Sequence, residues 1–431
     1  MIGDKLSYFR RYTSHLPRTG LLLALIICLA QVTFAQRQVL TWQQVQQRFR
    51  ANNPTLLAGQ TTINESRADE ITAYLRPNPD ITLGWDQFTP FTGNPYRPLA
   101  QSYLLWSISY LHEREHKREL RLASAKEATA ISISAQSDLE RNLMFNLRDA
   151  FVRVMQAKAV RQVAQENLDY YNKELAITQE RLTAGDISQV DFQRVDLQRV
   201  QFESDLETAD VNLRTAKIDL LALLRDSAPP DQFDVSEIFE FKDPSVTLAT
   251  LRTIAINNRP DLKAAEQSLD KAKIDHRLAI ANGSTDPIFS VDLSRQPAPL
   301  NTYIGASVNI PLRIFDRNQG EKLHTELDID RNQKLHDAAE IAALHDVNAS
   351  YATLESTIRL LRPYQTKYLK EAEAIRSSVS FAYQHGGASL LDFLDAQRQY
   401  RDTQLSYLNL VGAYFAAANQ VNFSAGSEVI H

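Results

Sequence analysis

From Leu111 to Ala228 the chain contains no proline and a single glycine, Gly185. Proline breaks helix interiors and glycine weakens them, so this run reads as helix for most of its length. Glu113 to Leu182 alone is about 70 residues, which at ~1.5 Å of rise per residue is a rod ~105 Å long. No ordinary globular core needs such a rod. At Thr183, Ala184, Gly185 and Asp186 the chain turns, and it returns as a second helix from Ser188 to about Leu224. The spacing predicts a very long helical hairpin with its tip at Gly185.

On the returning arm Phe202, Leu206, Ala209, Leu213, Ala216, Leu220 and Leu223 alternate at steps of four and three, the seam of a coiled coil. Leu143, Leu147, Phe151 and Val154, then Val160, Ala164, Leu168, Tyr171 and Leu175, stripe the outgoing arm. These stripes are packing faces and not cofactor contacts.

The pattern repeats. Thr41, Asn52, Pro54, Leu56 and Ala58 recur as Thr247, Asn258, Pro260, Leu262 and Ala264, each pair 206 residues apart. At the tip, Gly185, Ser188, Asp191 and Phe192 recur as Gly386, Ser389, Asp392 and Phe393, 201 residues apart. A repeat near half the chain length means two copies of one unit. The second long arm, about Asn318 to Gln384, is interrupted only by Pro363, where a kink is expected. Its returning arm runs from Leu390 to about Asn419. Asp226 to Ser245, with Pro229, Pro230, Pro244 and a mix of Phe and acidic residues, is a non-helical connector.

Between the first helices and the long arm of each copy the period changes from helical to alternating. Ile81, Leu83 and Trp85 alternate with Asp80, Thr82, Gly84 and Asp86; Leu104, Trp106, Ile108 and Tyr110 alternate with Tyr103, Leu105, Ser107 and Ser109. The second copy answers with Phe289, Val291 and Leu293, then Ile304, Ala306, Val308 and Ile310. Such strands, about ten residues long with one apolar face, are the pattern of a transmembrane β-barrel. Alternation also suits a soluble, half-buried sheet. Against that stand an export signal, the interfacial aromatics Trp85, Trp106 and Tyr110, and the lack of any other apolar surface to cover the sheet.

The export signal is residues 1–35: Arg10, Arg11 and Arg18 precede the apolar run Leu21 to Ala30, and Thr33-Phe34-Ala35 offers a cleavage site after Ala35. The run is too short for a comfortable span of ~20 residues. Cys28, the only cysteine, lies inside it after Ile27, where a lipoprotein signal wants a small residue, so neither a disulfide nor a lipid anchor is expected. A net charge of −5 over 431 residues argues against a nucleic-acid partner. Four strands cannot close a barrel, and an open sheet edge is not tolerated in lipid. Assembly with further copies of the chain follows.

These features together resemble the TolC family of outer-membrane efflux ducts over essentially the whole chain after the signal. Arg76-Pro77-Asn78-Pro79 is similar to the family's L-P-N-P; Ile310-Pro311-Leu312 through Phe315-Asp316-Arg317-Asn318-Gln319-Gly320 is similar to its strand-to-helix junction; and Gly386 through Leu391-Asp392-Phe393-Leu394-Asp395-Ala396-Gln397 is similar to its tip. The implied fold is mainly α with a transmembrane β-barrel contribution: two tandem repeats, each a β-hairpin and a long coiled-coil helical hairpin, three chains giving a 12-stranded barrel and a periplasmic helical tunnel. The expected layout is 36–225 for the first repeat, with strands about 79–91 and 101–111 and hairpin 113–224; an equatorial connector 226–245; and 246–431 for the second repeat, with strands about 287–295 and 302–311 and hairpin 318–420. The resemblance implies a homotrimer in outer-membrane lipid, meeting a periplasmic adaptor protein and through it an inner-membrane pump of the RND type, with passive gated export, no enzyme chemistry and no cofactor.

Carried over residue by residue, the resemblance makes Asp392 and Asp395 the pore constriction. Three copies of each would form rings of like charge that favour cations, raise carboxylate pKa values and can bind a metal. The plain alternative is a pair of solvated acids at a helix start. Asp191 and Tyr383 match positions that hold the tip closed, and Gly185, Ser188, Gly386, Gly387 and Ser389 form the tip turns and adaptor contacts. An arginine expected after the tip glycines is replaced by Ala388. The motif combination leans toward heavy-metal cargo, although cargo is chosen mainly by the pump.

One motif pulls elsewhere. His112-Glu113-Arg114-Glu115-His116 has the H-E-x-x-H form, in which two His at i and i+4 of a helix can share zinc. It falls where strand passes into helix, without an evident third ligand, so a polar helix start is the favoured reading. The remaining alternatives are a coiled-coil structural or adhesive envelope protein without a pore, and a metalloprotease needing His112, His116 and Glu113.

Overall fold

The computed structural model describes residues 38–87, 95, 99, 102–296 and 301–430. The export segment and most of the two strand-connecting loops lie outside the described residues. Strand β1 (Gln38–Leu40) leads into α1 (Trp42–Asn52) and α2 (Pro54–Tyr74); then come β2 (Asp80–Asp86), β3 (Tyr103–Leu111), α3 (Lys117–Ala184), α4 (Gln189–Leu224) and β4 (Phe233–Val235). The second repeat holds α5 (Leu248–Asn258), α6 (Pro260–Asn282), β5 (Ile288–Arg295), β6 (Thr302–Asn309), α7 (Gln319–Pro363), a π-helical turn (Tyr364–Tyr368), α8 (Leu369–Gln384) and α9 (Leu390–Ala425).

Local chemistry accounts for the boundaries. Pro54 and Pro260 sit in the first turns of α2 and α6, where a missing N–H costs nothing. Ser188 and Ser389 cap α4 and α9 by accepting the backbone N–H of Asp191 and Asp392. Pro363 leads not into a break but into the π-helical turn, a wider coil that absorbs the missing donor. Helix α9 continues past residue 420 to Ala425, ending where Gly426 adopts φ +72°.

Near the sheet α2, α3, α6 and α7 lie side by side in that order; toward the tips the neighbours are α4, α3, α9 and α8. Both layers therefore draw two helices from each repeat. Buried Trp42, Phe49, Phe151 and Leu220 form one core at the equator, and Leu251, Leu361, Val411 and Tyr414 another. A third, smaller core lies at the tips.

The connector 226–245 is not without strand. Residues 38–40 pair in parallel with 233–235. Lys217 Nζ donates to the Phe233 carbonyl at 2.7 Å, and Lys158 Nζ reaches Asp234 at 3.0 Å and the Val235 carbonyl at 3.0 Å. Burial pushes the Asp234 carboxyl up, but the bonds from Lys158 and the Val235 N–H, with the nearby Lys217 charge, outweigh it and hold the group below the usual aspartate range. Asp261 behaves alike: burial opposes, while Arg259 at 2.6 Å and Arg141 at 3.5 Å prevail. For a depressed carboxylate the stabilisation is complete above the unfolded value of ~3.9 and is lost as pH falls through the folded value. The urea midpoint is therefore expected to hold from pH 7 to about 5 and to drop below about pH 4. Asp234→Asn combined with Asp261→Asn should flatten that acid limb; an unchanged limb would mean other carboxylates govern it.

Candidate functional site

The second and longer sheet has the order β2-β3-β5-β6, antiparallel throughout. Its register lines up whole rows: Ile81, Ile108, Val291 and Ala306; Leu83, Trp106, Leu293 and Ile304; and Tyr110, Phe289 and Val308. The alternate rows, Thr82, Ser107, Asp292 and Gly305, and Asp80, Ser109, Ser290 and Ser307, are polar. The apolar face stands open, with Ile81, Leu83, Trp85 and Ile304 each more than 60% exposed. A side chain of this kind left in water forgoes about 1.5–3 kcal/mol. The described strands run seven to nine residues, somewhat shorter than the about ten read from the alternation and at the lower end of the ~9–11 that a tilted span of a bilayer's apolar band takes. Among the described residues no further strand pairs with β2 or β6, the two outer strands.

The other end of the rod carries the residues expected to govern passage. Gly185 (φ +83°) and Gly386 (φ +76°) take the left-handed conformation that closes each helix end, which a Cβ would strain even though open space surrounds both. The Gly387 N–H donates to the Ala382 carbonyl at 2.7 Å. Asp191 and Asp392 are both engaged in caps: Ser188 Oγ to Asp191 Oδ2 is 2.9 Å and Ser389 Oγ to Asp392 Oδ2 is 2.6 Å, the latter also accepting the Ser389 N–H. These bonds from Ser389 hold the Asp392 carboxyl below the usual range within the protomer. Asp395, one turn on, accepts from Arg398 at 2.6 Å and Gln399 at 2.7 Å.

Tyr383 is buried, its ring stacked on Phe393 at 4.8 Å, with its hydroxyl lacking a hydrogen-bond partner. No bond joins it to Asp191; burial raises the phenol's pKa, the Arg181 charge opposes this and the Asp191 charge adds to it. A cation from the other repeat stands at this tip. Arg181 lies 5.0 Å over the Tyr383 ring and donates to the Tyr383 carbonyl at 2.8 Å. Further up, Arg376 is held between the rings of Tyr170 (4.1 Å) and Tyr400 (3.7 Å). Sequence reasoning missed both arginines, since each sits among many charged residues of one helix and gains its aromatic partners only from other helices, Arg181 from the opposite hairpin and Arg376 from both.

The H-E-x-x-H stretch is not helical. Helix α3 begins at Lys117, Glu115 and His116 have φ of 55°, and so His112 and His116 do not stand at i and i+4 of a helix. Glu113 pairs with Arg121, Oε2 to Nη2 at 2.9 Å. The stretch instead docks on the neighbouring repeat: the His112 N–H donates to the Pro287 carbonyl at 3.0 Å, the Arg114 N–H to Asp286 at 2.9 Å, and Lys117 Nζ to Asp286 at 2.6 Å.

Residues 251–427 match the family described as outer membrane efflux protein. The cobalt-zinc-cadmium resistance protein CzcC of Cupriavidus metallidurans is 24% identical over 319 residues, covering 71% of this chain and 73% of that protein. The cation efflux system protein CusC of Escherichia coli K12 is 25% identical over 313 residues, 67% of this chain and 66% of that protein. Among solved structures, CusC superposes with a TM-score of 0.73 at 18% identity, over 89% of this chain and 92% of that one.

Proposed function

We propose that this chain, an outer membrane efflux protein of the TolC type, works as a trimer whose barrel opens to the exterior and whose helical tunnel reaches through the periplasm to an adaptor and a pump. The observation that carries this reading is the four-stranded sheet, with one exposed apolar face, one polar face and two unpaired edges, standing on rods far longer than any core requires. Because strand direction alternates across an even number of strands, β6 of one copy runs antiparallel to β2 of the next, and three copies close a ring of twelve. Closure removes the edges that lipid forbids. The polar rows then line a water-filled lumen.

In this reading the repeats are 36–225 and 246–431, joined at the equator by 226–245, and the pump supplies the energy. Asp392 and Asp395, repeated about the axis, ring the narrow end, while Tyr383 and Arg181 hold the two hairpin tips together and Asp191 caps the start of its own helix. Gly185, Ser188, Gly386, Gly387 and Ser389 present the tip turns to the adaptor. The cargo class favoured is heavy-metal cations, on the likeness to two proteins whose names specify cation efflux and cobalt-zinc-cadmium resistance.

The test is single-channel conductance of the purified protein in a planar bilayer. Wild type is expected to be cation-selective and blocked by divalent metals, with the block relieved at least tenfold in Asp392→Ala/Asp395→Ala. An inserted trimer whose selectivity and block are identical in the double variant would remove these aspartates from the constriction. A protein that neither trimerises nor inserts would favour the pore-free envelope reading.

A further inference from the structure

The chain contains, in its own middle, one complete junction between a strand pair and the helix that follows it. There β3 lies beside β5, and the segment leaving β3 packs on the segment entering β5. Asp286 is the hub: it accepts the Arg114 N–H at 2.9 Å and Lys117 Nζ at 2.6 Å, and Lys117 Nζ also reaches the Ser284 carbonyl at 3.0 Å. Lys117 is only 4% exposed.

At the two outer edges the same parts are present and uncovered. Pro79 immediately precedes β2 as Pro287 immediately precedes β5, so Asn78 holds the position of Asp286. Helices α3 and α7 each start after a left-handed residue, His116 (φ 55°) and Asn318 (φ 62°), so Gln319 holds the position of Lys117. Residues 310–317 are exposed throughout, including Leu312 at 77% and Phe315 at 90%. On the opposite edge Ile71, Tyr74 and Leu75, at the end of α2, are exposed as well. Each edge is apolar where the other is, and each lacks what the internal junction has.

We propose that the contact between protomers copies this internal junction, with Asn78 of one protomer in the place of Asp286 and Gln319 of its neighbour in the place of Lys117. This rests on the duct reading above and specifies its interface. The exposed segment 310–317 then covers the end of α2 of the next copy. The strand register follows from the same equivalence. Ser109 faces Ser290 and Ile108 faces Val291 within the chain, so Asn309 faces Thr82 and Val308 faces Leu83 between chains. That register keeps apolar residues on the lipid side and polar residues inside, as a one-residue slip would not.

The change of chemistry is also explained. Lys117 and Asp286 are desolvated together as one chain folds. Between chains a charged pair would have to be stripped of water at each association, a cost that Coulomb attraction often fails to recover. A side-chain amide on each partner can exchange hydrogen bonds without that cost, Gln319 giving up the local bonds it makes at the open edge, where its Oε1 accepts the Arg317 N–H at 2.8 Å and its Nε2 donates to the Phe315 carbonyl at 3.2 Å.

The experiment uses the full chain with two cysteine pairs, Thr82→Cys/Asn309→Cys under mild oxidation and Asn78→Cys/Gln319→Cys with a short bismaleimide, read by denaturing gel and by native mass spectrometry in detergent. The expected result is covalent dimers and trimers for both pairs and none for the four single variants. An intact trimer in which either pair fails to cross-link overturns the proposed junction and leaves the duct standing. A wild-type chain that stays monomeric when reconstituted in lipid overturns the duct reading itself. If a cysteine pair does not fold, Asn78→Asp/Gln319→Lys, which rebuilds the internal pair at the edge, replaces it: its trimers are expected to survive in detergent where those of Asn78→Lys/Gln319→Lys dissociate, and equal survival of the two overturns the junction.

Discussion

Asp286→Ala is expected to destabilise the protein by about 3–5 kcal/mol, the range for removing one partner of a buried ion pair. Lys117 would remain, only 4% exposed, with its ammonium group facing the Ser284 carbonyl and no counter-charge. The Arg114 N–H would lose its acceptor in the same step. Because the two repeats meet here, the loss should appear as early release of the sheet end of α3 from α6. Urea unfolding in detergent, followed by circular dichroism, measures the total, and hydrogen exchange over 112–121 locates it. Asp286→Asn should cost less, since its amide oxygen still accepts the Arg114 N–H. Replacing both partners, as Lys117→Met/Asp286→Leu, should recover most of the loss, because no buried charge is then left alone. A single variant as stable as wild type would show that water reaches Lys117 freely.

Phe393→Ala is the second large effect, and it should be local. Phe393 is fully buried, stacked on Tyr383, in a tip core shared with Tyr171, Val195 and Phe202. Truncating such a ring costs about 3–5 kcal/mol through lost burial and the cavity left behind. The tip core is separated from both equatorial cores, so the helices above should hold while the hairpin ends fray. Hydrogen exchange near Gly185 and Gly386 should rise strongly, with little change at the equator, and bilayer recordings should show longer or more frequent openings. Leu391→Ala, at a side chain 76% exposed in the protomer, is the contrast and should cost little protomer stability. Uniform exchange along the whole rod after Phe393→Ala would mean that tip and equator unfold as one unit.

Much of this architecture is written locally. The absence of proline from Leu111 to Ala228, the steps of three and four from Phe202 to Leu223, and the alternation of Ile81, Leu83 and Trp85 each specify a backbone period. A period needs no knowledge of the partner, so rods, strands and their duplication are visible before any contact is known. The turn glycines are equally local, because a left-handed residue is a property of one position.

What the tertiary structure alone decided are pairings and conformations that no period encodes. Three-residue β1 finds β4 across nearly the whole first repeat, too short a strand to alternate. His112 to His116 hold a metal motif in sequence, yet docking on Asp286 and the left-handed turn at Glu115 and His116 keep them off the helix. Asp392 is taken up by its serine cap, and the cation that reaches Tyr383 is Arg181 of the first repeat. Lys117, Lys217 and Asp234 are charged side chains in buried positions, which composition assigns to the surface. The physical reason is the same in each case: hydrophobic periodicity is summed along one element, whereas a buried charge or an isolated strand is stable only where a distant residue supplies its hydrogen bonds.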